Sequence, residues 1–237
     1  MVSYALLSKI GDRKNNEDSV DVCQQDGKYL FALADGLGGH SSGDIASALV
    51  ISKAIEVYKN AQSEDCLAQC FTDAQNALLD EQKQRNIDMK TTLVLLSISG
   101  ERADWGHIGD SRLYVFDNGR TVSRTNDHSV PQMLVQTGEL REKDIRFHPD
   151  RNRLLRVMGT QWDSPRFELS SAQASTPGLS YLLCTDGFWE LMEEKEMCRY
   201  MKLSRSPNEW LAIMEKKVLK NGKGKNMDNY SAIGVWR

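Results

Sequence analysis

The middle of the chain consists of short, nearly continuous apolar runs with only small polar interruptions between them. Thr91 to Ser99 is the longest run, and the runs 103–109 and 112–117 follow it closely. A run that does not alternate between apolar and polar residues indicates a strand buried on both faces. These strands constrain the possible architectures most strongly, because both of their faces must be covered.

Helices are predicted outside this central block. Apolar residues at helical spacing predict helices from about 43 to 59, from Glu64 to about Arg85, around 188–192 and from Pro207 to Leu219. Further strands are predicted at 3–9, 19–23, 29–34, 166–169, 181–185 and 230–236. Because the strands cluster separately from the long helices and do not alternate with them, the pattern indicates an α+β fold.

The length favours one domain. A chain of 237 residues is near the upper limit of what a single core organises, so we expect one domain spanning residues 1–237. Its 40% hydrophobic and 27% charged residues are typical of a globular protein and exclude a disordered one. The more polar segment from about 126 to 160 is interpreted as helical turns and an exposed flap within this domain.

Charge and hydropathy exclude several classes of partner. The net charge of -3 predicts no general attraction to nucleic acid or anionic lipid, and the basic stretch 220–226 is typical of a solvated loop. The apolar runs are far shorter than the roughly 20 residues that span a membrane, and no signal-peptide pattern begins the chain. Five cysteines without a C-x-x-C pair indicate reduced thiols. We therefore expect a cytoplasmic monomer.

Two apolar strands stop at an Asp-Gly pair. Asp35-Gly36 follows the strand 29–34, and Asp186-Gly187 follows the strand 181–185. A carboxylate at a strand end projects from a rigid scaffold, and glycine lets another segment approach closely. Asp228 precedes the last strand, so in an antiparallel sheet it can lie beside the end of a neighbouring strand. A single Asp-Gly pair is equally well explained as a turn.

Three more acidic residues occupy similar positions. Glu17 and Asp18 precede a strand, and Asp110 interrupts two strands. Crowded carboxylates raise one another's pKa unless cations neutralise them. Oxygen ligands without a histidine or cysteine cluster favour Mg²⁺ or Mn²⁺ over zinc. The set as a whole therefore predicts one acidic, metal-binding cleft.

These residues lie in ordered motifs that resemble the metal-dependent protein phosphatases of type 2C, in their compact bacterial form. The motifs are Arg13-Lys14-Asn15-Asn16-Glu17-Asp18, Ala34-Asp35-Gly36-Leu37-Gly38-Gly39-His40, Gly109-Asp110-Ser111-Arg112, Thr185-Asp186-Gly187 and Asp228-Asn229. The resemblance extends from about residue 3 to 236. It implies a β-sandwich of two antiparallel sheets flanked by helices, in four layers ordered αββα.

The resemblance also implies a site with two Mn²⁺ or Mg²⁺ ions and a third, weaker one. Asp35 would bridge the two metals, the Gly36 carbonyl would complete one, and Asp186 with Asp228 would hold the other. Asp110 would anchor the third ion. Glu17, Asp18 and Asn229 would lie next to the ligands, and Arg13 would bind phosphate.

The implied activity is hydrolysis of phosphoserine and phosphothreonine in proteins by a metal-bridging hydroxide that attacks phosphorus directly. Its substrates would be targets of a serine/threonine kinase. Leu37 stands where eukaryotic relatives have a histidine that protonates the leaving group, so we expect metal-held water in that role. His40 and His128 are expected to be structural. From the sequence alone, Arg13 could instead be a surface residue paired with Glu17.

The spacing of the glycine motif argues against a nucleotide-binding function. The glycine loop after Ala34-Asp35 fits neither the dinucleotide fingerprint nor the phosphate-binding loop of nucleotide hydrolases, since Ser41 replaces the last glycine and Asp44-Ile45 replaces Lys-Ser/Thr. The remaining alternative is a non-catalytic module of the same fold that binds phosphoproteins. Retention of every acidic position disfavours it.

Overall fold

The computed structural model describes residues 2–37, 42–63 and 65–237. The strands are Ser3–Lys9 (β1), Asp18–Gln25 (β2), Lys28–Leu37 (β3), Lys90–Thr91 (β4), Leu93–Ser99 (β5), Arg102–Ile108 (β6), Arg112–Asp117 (β7), Arg120–Arg124 (β8), Glu168–Leu169 (β9), Gln173–Ala174 (β10), Leu179–Cys184 (β11) and Tyr230–Trp236 (β12). The α-helices are Gly43–Asn60 (α1), Leu67–Arg85 (α2), Val130–Gln136 (α3), Asp186–Trp189 (α4), Glu194–Leu203 (α5) and Pro207–Gly222 (α6), and a 3-10 helix spans Glu142–Phe147.

The strands form two antiparallel sheets. The first sheet has the order β1-β12-β11-β7-β8, and the second has the order β10-β6-β5-β3-β2, with β4 and β9 pairing at its margins. Every neighbouring pair in both sheets is antiparallel. No helix within the described ranges is long and apolar enough to cross a membrane.

The second sheet is buried on both faces because its central strands β3 and β5 contain long apolar runs, at 29–34 and 93–96. In β3, Leu30, Ala32 and Ala34 point toward α1 and α2 and share their hydrophobic cluster. Phe31 and Leu33 alternate with them and lie in the cluster between the two sheets. The side-chain period of two residues in a strand therefore sends this run into two separate cores.

The first sheet repeats this arrangement on the other side of the sandwich. Tyr114 and Phe116 of β7 pack with α5 and α6, and Trp210 is the largest fully buried side chain that α6 contributes. Leu113 and Val115 of the same strand face the second sheet. The layers are helix, sheet, sheet and helix, which confirms the predicted αββα sandwich.

Most predicted elements agree closely with the structure. The strands 3–9, 112–117 and 230–236 have the predicted bounds, and α1 extends one residue beyond its predicted end. The predicted start of the second helix, Glu64, lies outside the described residues, and α2 begins at Leu67. The strand predicted at 166–169 is limited to Glu168–Leu169, since Pro165 precedes it and β9 lies at a sheet margin.

Three elements were missed, namely the strands β8 and β10 and the helix α5, and one interpretation needs correction. The edge strand β8 is almost entirely exposed, so it lacks an apolar pattern, and α5 was not predicted. The segment 126–160 contains α3 and the 3-10 helix but is less exposed than predicted. Ile145 and Met158 are buried in it, with Ile145 belonging to the core under the first sheet and Met158 to the core under the second. This segment therefore packs on both halves of the sandwich.

The topology brings five chain segments to one edge of the sandwich. Because β5 is antiparallel to both β3 and β6, the ends of β3 and β6 lie on the same side of their sheet. The start of β2 lies opposite the end of β3. In the other sheet, the end of β11 lies beside the start of β12. The acidic residues that follow or precede these strands meet at this edge.

Candidate metal centre

Asp35 and Asp18 are direct partners across the antiparallel pair β2 and β3. The backbone of Asp35 is fixed by three bonds from the next strand pair. Its N–H donates to Thr92 Oγ1 at 2.9 Å, and its carbonyl accepts from the Thr92 N–H and from Thr91 Oγ1, both at 2.8 Å. The carboxylate of Asp35 therefore projects from a rigid strand end.

Asp18 connects the two sheets. Its Oδ2 accepts a hydrogen bond from Thr185 Oγ1 at 3.0 Å, and Thr185 follows β11 in the other sheet. Its Oδ1 is buried and has no hydrogen-bond partner within the described part of the chain. Burial is the main reason that the pKa of Asp18 rises to about 7. A buried carboxylate oxygen without a donor is suited to a cation.

Asp186 is the first residue of α4, directly after Thr185. Burial, followed by the charges of Glu190 and Asp228, raises its pKa to about 7. Asp228 lies two residues before β12, and its Oδ1 accepts the backbone N–H of Asn229 at 2.9 Å. A Cβ on Gly187 would lie 3.3 Å from the Cβ of Asp228, so the segments that carry Asp186 and Asp228 lie close together at the edge of the first sheet.

Both glycines of the Asp-Gly pairs are required by close backbone contacts. A Cβ on Gly36 would lie 2.1 Å from the carbonyl oxygen of Gly43, at the start of α1. A Cβ on Gly187 would lie 2.0 Å from the carbonyl oxygen of Asn229. The prediction of close approach is confirmed at both positions. Neither glycine is a simple turn residue of positive φ.

Asn229 holds the chain segments around the acidic residues together. Its Oδ1 accepts the Glu17 N–H at 2.8 Å, and its Nδ2 donates to the carbonyls of Ile10 and Asn15 at 2.8 and 2.9 Å. The Glu17 carbonyl in turn accepts the Gly36 N–H at 3.1 Å. Since its amide group is fully used in these bonds, Asn229 positions the neighbouring segments.

Asp110 occupies the turn between the two sheets. It is buried, and burial together with the charge of Asp186 raises its pKa well above the usual range. Its carbonyl accepts Trp189 Nε1–H at 3.0 Å. The turn is also held by a reciprocal pair, in which Gly109 N–H donates to His128 Nδ1 at 3.1 Å and His128 N–H donates to the Gly109 carbonyl at 2.9 Å. This contact agrees with the structural role predicted for His128.

A buried ion pair behind this turn was not anticipated from the sequence. Arg112 donates two hydrogen bonds to Asp127, at 2.7 and 2.6 Å, and its guanidinium lies 3.4 Å from the centre of the Trp189 ring. Both side chains of the pair are almost inaccessible. The available signal was Arg112 itself, since a charged residue at the start of a buried strand needs a partner.

Arg13 lies at the entrance of the centre. Its Nη2 donates to Asp228 Oδ2 at 2.7 Å, and this bond is the main reason that its pKa is raised. The side chains of Arg13 and Asp228 are 47% and 38% exposed, so the pair is accessible to a ligand. The alternative pairing with Glu17 is not the one observed.

The residues gathered here, Glu17, Asp18, Asp35, Asp110, Asp186 and Asp228, are called the acidic centre. Burial is the largest cause of the raised pKa of Asp35, and the charges of Asp18, Asp186, Asp110 and Asp228 follow. Burial and the charge of Asp44 also raise the pKa of Glu17. Mutual repulsion of this kind is relieved by divalent cations, and the donor set consists of oxygen atoms. The residues present therefore fit Mg²⁺ or Mn²⁺.

Leu37 ends β3 and is half-buried, so the position expected for a proton donor carries an apolar side chain. His40 lies outside the described residues.

A second group of potential ligands is formed by His107, His128 and Glu168. The two imidazole rings stack with centroids 4.6 Å apart, and His128 Nε2 lies 3.2 Å from Glu168 Oε1 without hydrogen-bond alignment. Because His128 Nδ1 accepts the Gly109 N–H, its neutral ring carries the proton on Nε2. That nitrogen has no lone pair for a metal, so the arrangement fits a structural pair better than a metal site.

Comparisons with known proteins agree with this geometry. A family model described as protein phosphatase 2C matches residues 7–221. The serine/threonine protein phosphatase PstP of Mycobacterium tuberculosis is 32% identical over 209 residues, which cover 86% of this chain and 39% of PstP. The serine/threonine phosphatase stp of Listeria welshimeri is 30% identical over 207 residues, which cover 83% of this chain and 81% of that protein. The chain thus spans well under half the length of PstP.

Solved structures show the same fold. The crystal structure of Mycobacterium tuberculosis PstP/Ppp has a TM-score of 0.86 at 27% identity and covers 99% of this chain and 98% of that chain. The PstP catalytic domain in complex with two manganese ions has a TM-score of 0.83 at 26% identity and covers 99% and 97% of the two chains. With the family model matching nearly the whole sequence and the fold shared throughout, the chain belongs to the protein phosphatase 2C family.

Proposed function

We propose that this chain is a metal-dependent phosphatase that hydrolyses phosphoserine and phosphothreonine in proteins. The observation that carries the proposal is the convergence of six carboxylates from both sheets on one edge, four of them aspartates whose pKa is raised. Relatives named serine/threonine phosphatases, and the two manganese ions in the PstP catalytic domain, support the same activity.

The proposed ligands follow from where each group lies. Asp35 lies between the two sheets and would bridge two Mn²⁺ or Mg²⁺ ions, with the Gly36 carbonyl completing one of them. Asp186, just after β11, and Asp228, just before β12, would hold the other ion. Asp110 would contribute to a third, and Glu17 and Asp18 would lie next to the ligands. Asn229 would keep the Glu17 segment in place through its bond to that backbone.

When bound, the two cations would neutralise the acidic centre and acidify a water molecule so that it can act as nucleophile near neutral pH. The chain's own residues provide the positioning. Arg13 has a planar, two-pronged guanidinium at the entrance, and metal binding by Asp228 would release it to bind two phosphate oxygens. Thr185 and Asn229 hold Asp18 and Glu17 so that the centre keeps its shape.

The expected substrates are phosphoproteins that a serine/threonine kinase has modified. All five cysteines are unpaired, and four of them are buried, which suits a reducing compartment such as the cytoplasm. A non-catalytic phosphoprotein-binding module is not favoured, because every acidic position that metal chemistry needs is retained.

The proposal is tested by phosphate release from a phosphothreonine peptide with Mn²⁺, with and without a chelator. We expect turnover that the chelator abolishes and that Asp35→Asn reduces by at least about 10³-fold, since loss of a bridging ligand removes electrostatic stabilisation worth several kcal/mol. Asp163→Asn, which removes an exposed aspartate elsewhere, is the control and keeps wild-type turnover. Absence of metal-dependent phosphate release from the wild-type protein would refute the proposal.

A further inference from the structure

A cleft of about 350 Å³ adjoins the acidic centre and shares two of its carboxylates. The charged residues that line it are Arg13, Arg151, Lys225, Asp186, Glu190 and Asp228. It is called the basic cleft below, for the three cations on its walls. Because Asp186 and Asp228 border both spaces, a phosphorylated residue at the acidic centre would place its neighbours in this cleft.

Two of the three cations are already paired with carboxylates of the cleft. Arg13 Nη2 lies 2.7 Å from Asp228 Oδ2, and Arg151 Nε lies 2.8 Å from Glu190 Oε1. Lys225 is exposed, and no carboxylate of the described residues lies within ion-pair distance of its ammonium group. Since Arg13 is assigned to the phosphate and Arg151 is paired with Glu190, Lys225 is the cation on these walls that can meet another part of the substrate.

The loop that carries Lys225 is anchored at both ends. The Lys225 N–H donates to the Gly222 carbonyl at 2.9 Å, at the end of α6. Two residues later, the Met227 N–H donates to Asp12 Oδ2 at 2.9 Å, and the Asp12 N–H donates to the Met227 carbonyl at 3.0 Å. Met227 itself is buried in the core under the first sheet. These bonds hold the loop at the cleft, so the ligand does not have to order it.

The balance of charges on the cleft walls indicates which kind of ligand fits. The cleft walls carry three cations and three carboxylates, so their charges cancel before metal binding. Divalent cations held by Asp186 and Asp228 would make the space positive, and Arg151 neutralises Glu190. A substrate side chain of negative charge is then attracted to Lys225, whereas a lysine or arginine of the substrate is repelled.

We propose that the basic cleft binds an acidic residue next to the phosphorylated one, so that the preferred substrates are acidic phosphopeptides. This inference rests on the proposed phosphatase function and adds the substrate class that the same site selects. The basic stretch 220–226, which the sequence suggests is only a solvated loop, thereby acquires a role at the site.

The test uses three phosphothreonine peptides that differ only in flanking residues, with glutamate, glutamine or lysine at the same positions. The quantity measured is kcat/KM with Mn²⁺ for each peptide. We expect the wild-type protein to prefer the glutamate peptide over the glutamine peptide by roughly two- to fivefold, the size typical of an exposed charge contact. The preference decreases as salt is raised toward 1 M, because exposed charges are then screened.

Variants identify the residue responsible. Lys225→Gln lowers the preference for the glutamate peptide toward unity, and Lys225→Glu reverses it in favour of the lysine peptide. Lys216→Gln is the matched control, since Lys216 is an exposed lysine of α6 that does not line the cleft, and it keeps the wild-type preference. Melting curves show that each variant is folded, as expected for an exposed side chain.

The outcomes separate the two proposals. If the wild-type protein hydrolyses all three peptides equally, or if Lys225→Gln keeps the full preference, the inference about the basic cleft is wrong while the phosphatase function stands. If no peptide releases phosphate with Mn²⁺, the proposed function fails and this inference fails with it.

Discussion

Thr185 donates its hydroxyl hydrogen to Asp18 Oδ2 at 3.0 Å, and this bond joins the two sheets at the acidic centre. The same Oγ1 accepts the Ser231 N–H at 3.0 Å, so one side chain connects β2, β11 and β12. Thr185 is fully buried. Thr185 therefore holds the start of β2 against the end of β11, and it provides a hydrogen-bond donor for the buried Asp18 carboxylate.

Replacement of this threonine tests its role. We expect Thr185→Val to lower the free energy of unfolding by about 1–3 kcal/mol, because it leaves the buried Asp18 carboxylate and the Ser231 N–H without a partner. Thr185→Ser retains the hydroxyl and has a smaller effect. Urea denaturation with a chelator present measures both changes. Equal stability of the valine variant and the wild-type protein would show that the bond contributes nothing.

Two aspartates of the acidic centre are expected to differ in their effect on metal binding. Asp186→Asn removes a proposed ligand of the two-metal site, so calorimetric titration with Mn²⁺ is expected to show fewer bound ions and phosphate release is abolished. Asp110→Asn slows turnover but leaves two ions bound. Wild-type turnover in a purified Asp186→Asn sample would contradict the assignment, as would loss of both ions in Asp110→Asn.

The glycine after Asp186 is expected to be essential for packing. In Gly187→Ala, the new Cβ would lie 2.0 Å from the Asn229 carbonyl oxygen, so β12 and α4 must separate. We expect a loss of about 3 kcal/mol in the free energy of unfolding, the upper end of the usual cost of overpacking, because the clash is with backbone. Gly27→Ala is the comparison, since its Cβ meets nothing and only its φ of +76° is unfavourable, at a cost of about 1 kcal/mol. Similar melting temperatures for the two variants would disprove this explanation.

The buried His128 predicts a dependence of stability on pH. Burial, followed by the charge of His107, lowers the pKa of His128 to about 4, whereas in an unfolded chain a histidine binds its proton near 6.5. The unfolded state thus holds more protons between these values, and the free energy of unfolding falls as pH decreases from about 6.5 to 4, by at most about 3 kcal/mol from this group. The charge of Glu168, which faces the ring, raises the pKa of His128 but does not overcome the effect of burial.

His128→Asn is expected to flatten this pH dependence while still offering an oxygen to the Gly109 N–H. Urea denaturation at a series of pH values measures the slope. His148→Asn, a histidine outside the stacked pair, is the control and keeps the wild-type slope. An unchanged slope in His128→Asn would mean that another group is responsible for the loss of stability in acid.

The fold class was predictable because the sequence encodes it locally. The apolar run in β5 is buried at six of its seven positions, as a strand with both faces covered must be. The edge strand β8 could not be predicted, since an exposed strand has no apolar period to reveal it. The segment 126–160 was predicted to be more exposed than it is, because its few buried side chains are separated by polar residues.

The residues of the candidate site could be predicted from the sequence, but the hydrogen bonds and ion pairs that join them could not. Asp35, Asp186 and Asp228 were recognisable because each adjoins a strand end. The pairing of Arg112 with Asp127 joins residues that are distant in sequence, and no local pattern specifies such a partner. The three hydrogen bonds of the Asn229 amide, to Glu17, Ile10 and Asn15, likewise form only because these residues lie close to Asn229 in space.

The sequence by itself determined which strands are buried on both faces and which carboxylates end them, because side-chain period and chain position are local properties. The tertiary structure decided that Asp18 faces Asp35, that Thr185 bridges to Asp18, and that Lys225 borders the same space as Asp186. The physical reason is that electrostatic coupling and hydrogen bonding depend on separation in space. Residues more than 160 positions apart in the chain are brought into contact only when the two sheets pack.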